Sequence, residues 1–320
     1  MSYPYYKGGS LDDLMLEVFK EILSNGKMIT PTKGKAQEIT GVLLELENPR
    51  ARLSRTETRG RSFSCLGELL WYLAGRNDLE FISYYLSDYR HSADNGLIFG
   101  GYGPRLFSWK GLNQVETVTK LLSTKKDTRQ AVIQLFDRED LVGKHSDVPC
   151  TCTLQFILRE NKLNMFAFMR SNDAFLGLPH DVFSFTMIQE MIARAISADL
   201  GSYKHAVGSL HIYGEDEDAA RQFMEEGYQS NVPMPEMPPG DPWKSVHALQ
   251  EAEASIRERG QIDAKPDLHP YWADLVRLLQ IFYYFKKVRN EGEIRVLMRK
   301  MSSRIYDPFI IRILNQLNGQ

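Results

Sequence analysis

Cysteine is scarce in this chain. Only Cys65, Cys150 and Cys152 occur among 320 residues, too few and an odd number, which argues against a disulfide framework. Cys150-Thr151-Cys152 is too closely spaced for the usual Cys-x-x-Cys zinc or redox pattern, and no second ligand pair follows, so no metal site is expected. An excess of either charge is lacking too, because 39 Lys+Arg stand against 41 Asp+Glu and the formal net charge is -2. No global field draws the chain to a polyanion, and neither a nucleic-acid nor a membrane partner is expected. Long apolar runs are missing as well. The longest, around Leu275 to Phe285, is interrupted by Arg277 and Gln280 and stops at Lys286-Lys287, short of the roughly 20 residues that span a bilayer. Met1-Ser2-Tyr3-Pro4 carries no basic-then-apolar leader, and with so little cysteine the expected compartment is a reducing cytoplasm.

What the chain does have is alternating strand and helix signals. Leu14, Val18, Phe19 and Ile22 recur at helical spacing, predicting a helix over Leu11 to Ser24 that ends at Asn25-Gly26. A strand is predicted over Ile39 to Leu46, and a helix over Ser64 to Ala74 with Glu68 in its middle. Ala131 to Phe136, Thr153 to Leu158 and Leu163 to Phe168 read as strands, the last two joined by the turn Arg159-Glu160-Asn161-Lys162. Phe183 to Ala198 reads as a long helix with Asp181 near its amino end, and Val207 to Tyr213 as a short strand. Pro233, Pro235, Pro238, Pro239 and Gly240 mark a linker, beyond which Val246 to Arg259, Trp272 to Asn290 and Ile294 to Leu317, broken at Pro308, are all helical. The expected fold is α/β (α+β), with a catalytic domain over residues 1–240 and a C-terminal helical extension over 241–320.

The densest signal lies between Val148 and Asp181. Pro149-Cys150 is followed by Gln155-Phe156, then by Arg170-Ser171-Asn172-Asp173-Ala174-Phe175-Leu176-Gly177-Leu178-Pro179 and His180-Asp181. This resembles the thymidylate synthase family, in which a nucleophilic Pro-Cys precedes Arg-Ser-x-Asp-x-x-Leu-Gly-x-Pro and a Phe-Asn pair. Asp181 stands where the family has its base-reading Asn, as in the deoxycytidylate hydroxymethylase branch. The resemblance covers roughly Leu11 to Pro239 and is strongest from Cys150 to Tyr213.

That resemblance implies a mixed sheet with flanking helices, a homodimer with sheets stacked back to back, and a set of roles. Cys150 is the implied nucleophile for carbon 6 of a pyrimidine, activated by Arg170, which also holds the nucleotide phosphate with Ser171. Arg129 resembles an arginine that the family lends to the partner subunit's phosphate, although Gln130 replaces a second one. His211 and Tyr213 match the pair that binds the sugar 3'-hydroxyl, Glu68 the proton-shuttling glutamate, and Tyr102 the tyrosine that helps to remove the carbon 5 proton. Asp173 would hold the pterin of 5,10-methylenetetrahydrofolate, with Gly177 permitting its close approach.

Base choice falls to Asp181. An Asn offers uracil an acceptor for its ring N–H and a donor for its oxygen at carbon 4, whereas an Asp can accept from the amino group of cytosine and share a proton with the ring nitrogen. The competing reading makes Asp181 a helix N-cap. Near Asn95-Gly96 the family tryptophan that packs the folate is not found; Asp88, Tyr89 and His91 stand there, and Thr151 replaces the His after the nucleophile. These departures favour water addition over hydride transfer as the last step. The implied reaction is C5-hydroxymethylation of a cytosine nucleoside monophosphate, dCMP or CMP; methylation of dUMP and a non-catalytic nucleotide-binding scaffold are the alternatives.

Overall fold

Our computed structural model describes residues 4–261 and 267–319; residues 1–3, 262–266 and 320, which the two expected domains include, lie outside the described residues. Strands β1 (Tyr5–Gly8), β2 (Lys27–Ile29), β3 (Ala36–Leu46), β4 (Val132–Gln134), β5 (Thr151–Arg159), β6 (Lys162–Asp173) and β7 (Asp199–Tyr213) form one seven-stranded sheet. Their order is β1-β3-β7-β6-β5-β4, with β2 also paired to β3. The β1–β3 and β6–β7 pairs are parallel and the others antiparallel, so the sheet is mixed as expected. Glu160 and Asn161, at φ of 49° and 58°, turn the β5–β6 hairpin with the left-handed backbone that a two-residue connection needs.

Alternation along the strands separates two faces. On one, Leu154, Phe156, Met165, Ala167, Tyr203 and Val207 are buried. On the other, Phe168 is 47% and Val132 40% exposed, so that face lacks a full cover within the chain. The buried side packs against α1 (Leu11–Asn25) and α6 (Gly177–Ala195), and α2 (Ser62–Leu73) lies against α6. Helix α1 starts with a capping box, in which Ser10 and Asp13 each accept from the other's backbone N–H. Helix α2 is buried along its whole length except at Ser64. Gly67 makes that possible, because a Cβ there would meet the Tyr85 ring at 2.1 Å.

Four shorter helices complete the first part of the chain: α3 (Leu79–Tyr85), α4 (Tyr102–Phe107), α5 (Gln114–Thr124) and α7 (Glu217–Glu225). The helices α8 (Trp243–Arg259), α9 (Pro270–Tyr283), α10 (Glu291–Arg299) and α11 (Asp307–Asn318) follow the linker. They pack on the catalytic part through apolar and polar contacts. Phe282 stacks on Phe63 at 5.8 Å and on Tyr85 at 5.4 Å, while Tyr271 reaches Met187 of α6. Arg312 of α11 donates to the carbonyls of Thr56 and Gly60, each at 2.6 Å, and to Glu57 at 2.9 Å.

Several expected boundaries move. Helix α6 begins at Gly177, not Phe183, because Pro179 falls in its first turn, where no intrahelical N–H bond is lost. It ends at Ala195, before Ser197 takes a left-handed backbone with φ of 55°. Strand β7 begins at Asp199 instead of Val207: Tyr203 and His205 are buried on one side while Ser202 and Lys204 face the open side, a half-polar alternation that reads weakly as strand. The expected Trp272–Asn290 helix stops at Tyr283 and continues as a wider turn over Tyr284–Val288. Pro308 does not break a helix but sits in the first turn of α11, where proline is tolerated.

Candidate active site

Strand β6 and the segment entering β5 bring Cys150 and Arg170 together. The Arg170 backbone N–H donates to the Cys150 carbonyl at 2.9 Å, continuing the β5–β6 pairing beyond the strand itself. The Arg170 guanidinium donates to the carbonyls of Pro149 at 2.9 Å and Val148 at 2.7 Å, which leaves Nη2 3.7 Å from Cys150 Sγ. Burial pushes the Cys150 thiol up to about 11, opposed by Arg170 and reinforced by Asp147 and Asp181. The resting side chain is therefore a thiol at neutral pH.

Tyr102 and Asp181 bear electrostatically on the thiol. Tyr102, the first residue of α4, accepts from the Thr151 N–H at 3.2 Å and from the Thr151 hydroxyl at 2.9 Å. Thr151, adjacent to Cys150, thus fixes the phenol in place. Glu68 is buried in α2, and burial raises it to about 7 against donation from the Tyr89 and Tyr72 hydroxyls. Tyr89 also meets Trp71 edge-on with ring centroids 5.4 Å apart.

Asp181 lies inside α6 and not at its cap. It accepts from Asn172 Nδ2 at 2.7 Å through Oδ2, and no side-chain cap bond is formed at the helix start, so the N-cap reading fails. Only 8% of the residue is exposed, and burial, with Glu68 next, holds its carboxyl well above the usual range. Asn172 in turn accepts on Oδ1 from His205 Nε2 at 3.2 Å, and His205 Nδ1 meets the Tyr203 hydroxyl at 2.6 Å.

At the end of β6, Asp173 Oδ1 accepts from the backbone N–H of Phe175 at 2.8 Å and of Leu176 at 2.9 Å, shaping the turn into α6. Burial raises the group, and buried Arg59 stacks 4.8 Å over Phe175 with Nε unpartnered. These groups fit a pterin, which needs an acidic acceptor for its amino and ring N–H groups against an apolar wall. Gly177 is also needed internally, since a Cβ would stand 3.1 Å from Asn172 Nδ2.

His211 pairs in register with Asp173, is buried, and keeps Nδ1 without a partner; Tyr213 meets its ring edge-on at 4.9 Å. Ser171 is half-buried on β6, opposite Ser209 in the β6–β7 register. Cys150, Arg170, Glu68, Tyr102, Asp173, Gly177, Asp181, His211 and Tyr213 thus converge on the carboxyl end of β6 and the entry to β5. Arg129 does not join them. It is exposed before β4, and its backbone carbonyl accepts from Gln155 at 3.1 Å.

Sequence reasoning missed Asn172, His205, Tyr203 and Lys33. Lys33 bears electrostatically on both Cys150 and Asp147, adding positive charge beside the thiol. Asn172 occupies the free position of the Arg-Ser-x-Asp motif, where residue identity carries no motif signal; His205 and Tyr203 fall in the half of β7 that was not read as strand. Among the described residues no cluster of His, Cys, Asp or Glu could hold a metal ion, and no described helix is long and apolar enough to cross a membrane.

Sheet order and the strand register that joins arginine to thiol define a thymidylate-synthase-like mixed α/β fold. The thymidylate synthase family model matches residues 15–253, and the chain belongs to that family. It is 30% identical over 228 residues to a deoxyuridylate hydroxymethyltransferase of Bacillus phage SP01, covering 66% of this chain and 59% of that protein. It is 29% identical over 238 residues to a deoxyuridylate hydroxymethyltransferase of Delftia phage PhiW-14, covering 70% of this chain and 66% of that one. The matched regions therefore span less than two thirds of the length of either relative.

Proposed function

We propose that this chain is a one-carbon transferase that places a hydroxymethyl group on carbon 5 of a pyrimidine nucleoside monophosphate, with 5,10-methylenetetrahydrofolate as donor. The observation that carries the reading is Arg170 Nη2 at 3.7 Å from Cys150 Sγ, with Tyr102 and Asp181 bearing electrostatically on the thiol and Glu68 on Asp181. The names of the two relatives support the hydroxymethyl outcome.

Cys150 Sγ adds to carbon 6 of the ring, which makes carbon 5 nucleophilic. Arg170 and Ser171 bind the phosphate, and His211 Nδ1 with Tyr213 takes the 3'-hydroxyl. Lys33 adds a further cation. When bound, methylenetetrahydrofolate supplies a one-carbon unit at the oxidation level of formaldehyde; Asp173, Gly177 and Arg59 would hold its pterin. Tyr102 helps to take the carbon 5 proton through water, and Glu68, poised at about 7, moves protons at the base. With the carbon 5 proton removed and tetrahydrofolate released as the leaving group, water would add to the exocyclic methylene left at carbon 5 to complete the hydroxymethyl group, and elimination of Cys150 from carbon 6 would free the product.

The base we assign is cytosine, as dCMP or CMP, because Asp181 replaces the amide that reads uracil. The relatives' names favour a second reading, deoxyuridylate. Assaying dCMP, CMP, dUMP and UMP side by side separates them. The cytosine reading expects a preference of roughly tenfold to several hundredfold, from about 1–3 kcal/mol for each mispaired buried group, shifted toward uracil by Asp181→Asn. A wild-type preference for dUMP would transfer the assignment to the second reading.

The working unit we infer is a homodimer joined through the open sheet face, where Phe168 and Val132 are exposed, with Arg129 reaching the partner's phosphate. Residues from 241 onward act as a helical extension that braces the folate side of the site. A cytoplasmic location is part of the same proposal.

A further inference from the structure

The four side chains Tyr203, His205, Asn172 and Asp181 form a buried chain of hydrogen bonds with one direction. Asn172 Oδ1 is an acceptor only, so His205 Nε2 must carry the proton across their 3.2 Å contact. Burial lowers His205 to about 3, so the ring is neutral and its Nδ1 is an acceptor; the Tyr203 hydroxyl then donates at 2.6 Å. Each donor fixes the next. The Asn172 amide is locked with Nδ2 toward Asp181, and Oδ2 of Asp181 is committed as an acceptor at 2.7 Å. Among the described residues its Oδ1 has no hydrogen-bond partner.

We propose that Asn172, oriented by Tyr203 and His205, is a specificity-determining positioning residue that fixes which oxygen of Asp181 donates to the pyrimidine and which accepts. This rests on the reading that a pyrimidine nucleotide binds over Cys150. An unlocked carboxylic acid can carry its proton on either oxygen. In one form it donates to the ring nitrogen of cytosine and accepts from the amino group; in the other it accepts the ring N–H of uracil and donates to the oxygen at carbon 4. Both bases would then be matched. With Oδ2 held as an acceptor, the proton of a neutral Asp181 stays on Oδ1, and only one of the two patterns remains. Discrimination comes from the relay as much as from the Asp itself, which is why the motif position beside Asp173 carries an amide.

Loosening the relay should erase discrimination without weakening the phosphate grip. Tyr203→Phe deletes one hydroxyl; His205 can then move its proton to Nδ1, the Asn172 amide can turn over, and Asp181 can hold its proton on either oxygen. Asn172→Leu removes the lock outright. The test measures dissociation constants of dCMP and dUMP by equilibrium binding, which needs no turnover. Wild type should separate the two nucleotides, Tyr203→Phe and Asn172→Leu should bring their ratio at least about fivefold to tenfold closer to one, and inorganic phosphate should compete equally with all three proteins. In an Asp181→Ala background, where no donor or acceptor is left for the relay to orient, Tyr203→Phe should leave the ratio unchanged.

An unchanged ratio in Tyr203→Phe, or an equal further change in the Asp181→Ala background, would overturn the proposal. Should Asn172→Leu fail to fold, the Tyr203→Phe result decides. A wild type that prefers dUMP would overturn the cytosine reading alone, since the relay is judged by whether the preference collapses and not by its direction.

Discussion

Glu68 is the residue whose burial has the plainest consequence for pH. Its folded value of about 7 stands above the ordinary 4.5, with burial as the leading cause. A raised carboxyl contributes its full stability below pH 4.5, where both states are protonated. As pH rises toward 7 the unfolded chain gives up its proton first, so the contribution is lost through that window, by about 3 kcal/mol in all. Glu68→Gln has no such loss. Denaturant unfolding of the two proteins at pH 5 and pH 8 should show wild type losing ground to the variant by up to about 3 kcal/mol; parallel pH dependences would contradict this burial. The same substitution should cut turnover by about 10²–10⁴, the range for a positioned proton carrier. At this scale the meeting of Cys150 and Arg170 was legible through the family resemblance, whose motifs fall at the entry to β5 and on the adjacent β6. Asn172 was not, because its role comes from partners on β7 and α6 that no local spacing reveals.

Among the elements, α11 makes the most specific demand on the site. Arg312 spans the carbonyls of Thr56 and Gly60 and so holds the loop that carries Arg59, which donates to the Leu176 carbonyl at 3.2 Å beside Asp173. Removing the guanidinium leaves those carbonyls without their donor. Arg312→Ala should destabilise the protein by about 1–3 kcal/mol and raise the KM for the folate more than that for the nucleotide. Equal effects on both, or none, would separate the extension from the folate side. Long periodic elements such as α1 and α2 were readable because one apolar stripe, or burial on all sides, dominates their sequence. The first half of β7 was not, since its open face is polar, and the start of α6 was hidden by a proline that usually signals a boundary.

For the whole molecule, the open sheet face sets the expectation of two subunits. An exposed Phe168 and Val132 on a half-covered sheet, together with Arg129 outside its own site, make sense if a second copy supplies the cover and receives the arginine. Mixing an Arg129→Ala chain with a Cys150→Ala chain should restore activity, because one hybrid site has both residues intact. A monomer in sedimentation, or no complementation, would contradict the dimer. The mixed sheet was legible as a class from the order of strand and helix signals; its strand order was not, because the central β6–β7 pair is parallel and joined across a buried helix.

The most direct test of hydroxymethyl transfer is the folate left after turnover of the preferred nucleotide. Addition of water to the exocyclic methylene leaves tetrahydrofolate in a one-to-one ratio with a hydroxymethylated nucleotide, and neither forms with Cys150→Ala. Dihydrofolate appearing with a 5-methyl nucleotide would mean that the last step is reduction, and the account of this chain as a hydroxymethyltransferase would be wrong.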